Sequence, residues 1–575
     1  MEEELTKLRH TASHILAQAI CRLFPDVKLG IGPATEEGFY YDFEFSQPIS
    51  EKDLPKIENE MRKIVQENLP IEKQTLTISE AKKLFKNQPY KRELLDEFEK
   101  ENTKEVSVYS QGEFTDLCAG PHLKSTGQLK AFKLLSLAGA YWRGSEKNKM
   151  LTRIYGTAFA TEKELEDYLL KIQETQKYDH RLLGERLELF IIPSEIGGGL
   201  PIWLPKGAVL RQIVEDFWKK EHQQAGYSYV YTPHIAHSRL WEISGHLSFY
   251  RENMYSEIEI DQEKYLLKPM NCPLHIFVYN QKMRSYRDLP LKLCELGTVY
   301  RYERSGTLHG LTRVRGFTQD DAHIFTTKEN IQKEVEEVLD LALKILKKFG
   351  FEEYEIELSV RDMKSKDKYL GDENIWQTAE TALEKALLNH NLSYRRAEGE
   401  AVFYGPKIDL KIKDALGRPW QCTTIQIDFN LPEKFDLFYI DQSGKKQRPV
   451  LIHRAIFGSL ERFIGVLLEH HKGKLPLWLS PVQVKVINVS ETHIEYAQKV
   501  AGTLRQENIR VETDFENKSV AKKIREASLE KIPYIVVIGD KEVKENILAV
   551  RDQEGKTNSE TIEQLIAKIK ESKNK

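Results

Sequence analysis

The chain has little cysteine, no long apolar run and no excess of either charge. Five cysteines (Cys21, Cys118, Cys272, Cys294 and Cys422) are scattered over 575 residues, and no CxxC occurs. An odd, dispersed set excludes a disulfide framework and points to a reducing compartment where thiols act singly. No stretch approaches the roughly 20 apolar residues that span a bilayer, so no membrane helix is expected. The N-terminus, MEEELTKLRH, is acidic and polar, unlike a signal or transit peptide. Internal repeats and low-complexity tracts are absent. Lys and Arg number 85 against 88 Asp and Glu, a net charge of -3. That excludes a general polycation and leaves room for RNA held by local basic patches.

What is present is ordinary globular material. The apolar fraction is 40% and the mean hydropathy is -0.51, enough for several packed cores. The length suggests about three to four domains. Residues 1–160 mix helix and strand patterns, with a clear amphipathic helix at KIENEMRKIVQENL and a loop at DLCAGPHL broken by Gly120 and Pro121. Residues 161–187 are charged and helical and start at a capping box of Thr161 and Glu164; a solvated surface helix is the plain reading, and a helical linker between domains is the expectation. From 188 to 475, long sequential strands favour an antiparallel sheet. Residues 476–575 alternate strand and helix as a small α/β domain.

Two patterns suggest chemistry. In RHTASHILAQAI, His10 and His14 are four apart, which puts both imidazoles on one helix face. Further on, CAGPH sets Cys118 and His122 at the same spacing. The richest stretch is ELGTVYRYERSGTLHGLTRVRGFTQDDAHIF, 295–325. A strand carrying Arg301 and Glu303 shows a cation and a carboxylate on one surface, and a Gly-rich loop returns through Arg313 and Arg315 to Phe317, Gln319 and Asp321. Taken alone, Arg301 with Glu303 is an ordinary salt bridge on a sheet. Arginine forks suit phosphate oxygens, however, and a Phe offers a face to a flat base.

This stretch resembles motif 2 of the class II aminoacyl-tRNA synthetases. GGGLPIWLPKGAVLRQIVEDFWKKEHQQAGYSYVYTPHIAH resembles motif 1, and HRAIFGSLERFIGVLLEHH resembles motif 3, in the family's order. The class I signatures HIGH and KMSKS are absent. KPMNCP, GFTQDDAHIF, FYGPKIDL and the HTASH with DLCAGPH pair bring the resemblance nearest to the threonyl branch, over essentially the whole chain. It implies an α+β multidomain fold: an antiparallel class II sheet flanked by helices, an N-terminal α+β editing domain and a C-terminal α/β anticodon-binding domain. It also implies a form without the N-terminal ubiquitin-like domain.

Carried onto this sequence, the resemblance implies that Arg301 holds the α-phosphate of ATP and Glu303 accepts from the adenine amino group. Phe317 and Arg462 stack on the adenine, and Arg313 lies near the γ-phosphate. Lys407 joins Arg301, Arg313 and Arg462 as a catalytic group. Adenylate formation is an in-line attack by an ionised carboxylate, so the protein mainly positions groups and neutralises charge, with magnesium bridging the phosphates. Sequence spacing alone reveals no metal site among Cys272, His323 and His453. The resemblance assembles them around one zinc per subunit with an open position for threonine's amino group and hydroxyl. Asp321 would pair with that hydroxyl, and Met270, Gln319, Tyr404, Lys407 and Gln421 would line the pocket. Valine is rejected for lack of the hydroxyl. Serine lacks only a methyl, worth about 1–3 kcal/mol, so a second site must hydrolyse seryl-tRNA.

His10, His14, Cys118 and His122 match that second site, with Tyr41 and Asp116 as further members. The four donors suit either zinc-activated water or metal-free acid–base work; the resemblance implies the metal-free route. Asn517, Glu542 and Arg551 fall where the family reads anticodon bases, and KKIREASLEK suits phosphates. Ala119 and Leu274 stand where the pattern has Arg and Gly; the first weakens contact with the tRNA end. The expected activity is a cytoplasmic, homodimeric threonine–tRNA ligase with no membrane association, whose partners are tRNA(Thr), ATP and L-threonine. Its rivals are a class II enzyme for proline or serine, an inactive RNA-binding paralogue, and an editing hydrolase with a degenerate ligase behind it.

Overall fold

The computed structural model describes residues 2–35, 37–145, 147–362, 369, 373–414 and 417–574. It divides into two compact units, Met1–Glu174 and Thr175–Lys575.

The first unit is built on the helix Glu2–Leu23. Ala12, Ile15, Leu16, Ala19 and Ile20 are buried at helical spacing against the helix Leu54–Glu67 and an antiparallel sheet ordered Lys28–Leu29, Phe39–Glu44, Met150–Phe159, Ala131–Tyr141. Burying each such aliphatic side chain contributes about 1.5–3 kcal/mol. The last turn is fastened electrostatically: Arg22 donates to Glu113 at 2.6 Å and to Glu67 at 2.7 Å. A second sheet pairs Ile71–Thr77, Glu105–Gln111 and Phe114–Leu117. Its last strand delivers the chain into the loop that holds Cys118 and His122.

The second unit carries an eight-stranded sheet. Its spatial order is Ser228–Tyr229, Leu291–Tyr300, Gly316–Thr326, Val450–Ala455, Pro419–Asp428, Lys407–Lys413, Tyr354–Val360 and Arg395–Glu398. All neighbours are antiparallel except the two edge pairs, which are parallel. One face is covered by Pro205–Gln224, Ile331–Lys348, Glu373–Asn389 and Leu460–His470, whose buried residues form one core with the sheet. The C-terminal part is a five-stranded sheet ordered Val511–Asp514, Val484–Asn488, Tyr534–Ile538, Leu548–Asp552, Thr557–Glu560. Its first three strands are parallel, and Val484–Asn488 between the other two is buried throughout, with its polar members paired: Lys485 with Glu530 and Asn488 with Lys523.

Three local expectations change. The stretch 161–187 is two helices, Glu162–Gln176 and His180–Arg186, and only the first is a surface helix. The Thr161–Glu164 capping box forms, with reciprocal bonds of 3.0 and 3.2 Å. Asp179 then caps a new helix by accepting the Arg181 N–H, and Leu183 and Leu187 enter the core of the second unit. Second, the strand expected to carry Arg301 and Glu303 ends at Tyr300. The Glu303 N–H turns back to the Arg301 carbonyl at 2.8 Å, which breaks the ladder. Third, the FYGPKIDL stretch is only part strand: Val402–Gly405 closes a turn, and the strand Lys407–Lys413 starts after it.

Candidate functional site

A cavity of about 540 Å³ opens on the uncovered face of the eight-stranded sheet. At its floor His323 and His453 occupy directly opposed positions of adjacent strands, so their side chains share a face. Cys272 enters from the first turn of the helix Cys272–Tyr279, held there by Pro273 at a position where no N–H is needed. The three donor atoms lie within 4.8 Å of one another. His323 Nε2 is 2.9 Å from His453 Nδ1, and His453 Nε2 is 2.9 Å from Asp428. Burial pushes the Cys272 thiol well up and the His323 imidazole well down, the latter helped by His275 and His453. These donors therefore sit where a cation would be compensated by a thiolate, and a thiolate with two neutral imidazoles is a set that suits zinc. Asp321 is held up by burial and accepts the Asn271 amide at 3.0 Å.

Above this floor lie Arg301, Glu303, Arg313, Phe317 and Arg462, all on the cavity wall. Arg301 is steered by the Pro269 carbonyl at 3.1 Å and stands 5.1 Å from the centre of the Phe317 ring. Arg462 donates to the Thr312 and Gln421 carbonyls at 3.1 and 2.9 Å. Glu303 and Arg313 are bonded to each other at 3.0 Å. Any ligand using both must open that pair. Met270, Gln319, Tyr404 and Gln421 also line the cavity. Lys407 does not: its ammonium is 2.6 Å from Asp409, whose other oxygen accepts from Gln421 and Thr424.

The first unit gathers His10, His14, Cys118 and His122, again with donor atoms within 4.8 Å. Cys118 Sγ is 3.3 Å from His10 Nε2 and 3.2 Å from His122 Nε2, and accepts the Gly120 N–H at 3.2 Å. Burial lowers all three imidazoles and pushes the Cys118 thiol up to about 11. Tyr41 donates to Asp116 at 2.6 Å, and His14 Nε2 lies 3.7 Å from the same carboxylate. The set combines neutral bases with one buried carboxylate and suits proton transfer around a water.

Several residues in these sites escaped sequence reasoning. Lys91, fully buried, pairs with Asp116 at 2.6 Å from a helix far away in sequence, with no local signal. Thr11 Oγ1 lies 3.4 Å from His122 Nδ1 and accepts the Leu123 N–H. His246, Tyr250, Gln426 and Asp428 line the cavity on the sheet. His275 sits 2.8 Å from His323 Nδ1 and 3.2 Å from Glu295; its place three residues after Cys272 was a readable signal. Of the C-terminal residues, Asn517 is exposed beyond the end of Val511–Asp514, and Glu542 accepts the Gly539 N–H at 2.9 Å as a helix cap. Arg551 lies lower in the sheet, opposite Ile535.

Residues 255–471 match the family described as tRNA synthetase class II core domain (G, H, P, S and T). Residues 483–572 match an anticodon binding domain, and 106–155 the threonyl and alanyl tRNA synthetase second additional domain. The chain is 54% identical over 580 residues to a threonine–tRNA ligase of a Sulfurihydrogenibium species, covering 99% of this chain and 89% of that protein. It is 52% identical over 571 residues to one from Dehalococcoides mccartyi, covering 99% and 97%. Among solved structures, the RNA binding domain of threonyl-tRNA synthetase from Cryptosporidium parvum is similar, with a TM-score of 0.65 and 42% identity, over 69% of this chain and 98% of that one.

Proposed function

This chain belongs to the threonine–tRNA ligase family of class II aminoacyl-tRNA synthetases, and on that premise we propose how its residues divide the work. The enzyme activates threonine with ATP, transfers it to tRNA, and hydrolyses mischarged seryl-tRNA in its N-terminal unit. The observation that carries the assignment is the convergence of Cys272, His323 and His453 with Arg301, Arg313 and Arg462 on one cavity.

Cys272, His323 and His453 would hold zinc. A zinc ion bound there supplies positive charge for the amino group and hydroxyl of threonine. Asp321, pinned by Asn271, accepts a hydrogen bond from the threonine hydroxyl. Valine offers Asp321 no hydroxyl donor beside the Asn271 amide, and the loss of that buried hydrogen bond disfavours it strongly. Arg301 receives the α-phosphate, Phe317 and Arg462 sandwich the base, and Glu303 and Arg313 exchange their mutual bond for adenine and γ-phosphate. Magnesium accompanies the ATP. Lys407, paired with Asp409, would act from outside the cavity wall.

In the N-terminal unit, His10, His14 and His122 hold a water against the seryl ester, and Asp116, with Tyr41 and Lys91, fixes the polar floor. We take this site as metal-free. Burial lowers the three imidazoles and so favours their neutral form, which can accept a proton from a water. Asn517, Glu542 and Arg551 read the anticodon; the first two stand past the C-terminal ends of parallel strands, where α/β sheets expose their loops. The working form is a homodimer in the cytoplasm, joined through motif 1, where Tyr231 is 85% exposed beside the exposed Ile235.

Threonine-dependent ATP–pyrophosphate exchange tests the assignment. Exchange with threonine and serine but not valine supports it, and no exchange with threonine overturns it. A solution mass of twice 66.9 kDa supports the dimer, and a monomer mass contradicts it.

A further inference from the structure

We propose that His180 is a positioning residue for the ATP site, acting through the loop that carries Arg313. His180 opens the short helix His180–Arg186 and is fully buried. Its two ring nitrogens are both engaged. Nε2 accepts the Leu311 N–H at 3.0 Å, which leaves the proton on Nδ1, 2.7 Å from Glu469 Oε1. The same carboxylate oxygen accepts the His180 backbone N–H at 3.1 Å. Glu469 stands in the last turn of the helix Leu460–His470, which also supplies Arg462. One imidazole thus ties the motif 3 helix to the motif 2 loop.

The loop packs closely against His180 and the motif 3 helix. Gly310 has φ +48° and lies so close that a Cβ on it would stand 2.1 Å from His180 Nε2. A Cβ on Gly465 faces Leu311, His180 and Thr312 at 3.3–3.4 Å. Residues 309–313 close on themselves, with the Thr312 and Arg313 N–H groups both donating to the His309 carbonyl. Fixing the Leu311 amide therefore fixes the two residues after it. Thr312 presents the carbonyl that orients Arg462, and Arg313 presents its guanidinium to Glu303. Asp179 also lies near, 3.9 Å from Nδ1, but it is committed to Arg181 at 2.6 Å. With both nitrogens of His180 bonded, this trio is a structural relay and not a metal site.

The inference rests on the ATP-site reading above. Its test is ATP–pyrophosphate exchange by the full chain, with ATP and threonine varied separately. His180→Ala should raise the KM for ATP about tenfold or more and leave the KM for threonine within about twofold, since a displacement of ~1 Å in a positioning group costs up to ~100-fold. His180→Gln, whose amide oxygen can still accept the Leu311 N–H, should recover part of the loss. Gly310→Ala displaces the loop without removing the imidazole and should give the same ATP-selective defect; it decides the matter if His180→Ala does not fold. Equal changes in both KM values, or a lowered Tm with the KM for ATP unchanged, would overturn the proposal. Arg313→Ala separates the two claims. If it leaves the KM for ATP unchanged, the ATP-site reading fails. If it raises that KM while the His180 and Gly310 variants do not, only this inference fails.

Discussion

At the scale of single residues, burial decides what each group can do. Lys91 and Asp116 are a pair of opposite charges, each about 2% exposed. Removing one partner strands the other, which costs about 3–5 kcal/mol. Lys91→Met should therefore lower the thermal stability of the N-terminal unit and abolish seryl-tRNA deacylation, with threonine-dependent exchange unchanged. Calorimetry and the two assays check this; a deacylase that survives the substitution contradicts the role given to Lys91. The two clusters of potential metal donors lead to a second prediction. Metal analysis of the purified chain should find one zinc, lost in Cys272→Ala and retained in Cys118→Ala. Two zincs per chain, one of them lost with Cys118, would mean that the N-terminal histidines hold a metal.

At the scale of elements, the positions of helices depend on a few close contacts. The helix Pro205–Gln224 runs past Leu189 with Gly207 at the contact, where a Cβ would lie 1.8 Å from the Leu189 carbonyl oxygen. Gly207→Ala must push the helix off its bed, at about 1–3 kcal/mol, read as a fall in Tm with the zinc content intact. The helix Glu2–Leu23 has a pH-sensitive clamp. Hydrogen bonding from Arg22 holds the Glu113 carboxyl at about 2, against an ordinary 4.5. A depressed carboxyl contributes stability above its unfolded value and loses it as pH falls through the folded one. The clamp's contribution should hold above pH 4.5 and fade toward pH 2, modestly because both groups are partly exposed. Denaturation midpoints of the chain and of Arg22→Ala should converge over that window; parallel curves would remove the clamp.

At the scale of the whole molecule, two sites in two compact units address one amino-acid problem. How much of this was legible beforehand follows from how local each signal is. His10 with His14, and Cys118 with His122, each sit on one short segment, so their spacing could be read. The antiparallel sheet followed from long consecutive strands. The pairing of His323 with His453 across the sheet was invisible to spacing and came only through family resemblance. Lys91 and His180 reach their partners across 25 and more than 100 residues, and only tertiary packing puts them there. The expected linker misled because its charged surface pattern continues past Asp179, where a new cap starts a helix whose Leu183 and Leu187 are core.

The central claim is that the N-terminal cluster corrects what the zinc pocket admits. The most direct test supplies serine as the sole amino acid and measures seryl-tRNA accumulated by the parent chain and by a His10→Ala, His14→Ala double variant. The account predicts almost none with the parent and steady accumulation with the variant, at unchanged rates of serine-dependent exchange. Equal accumulation by both proteins would contradict it.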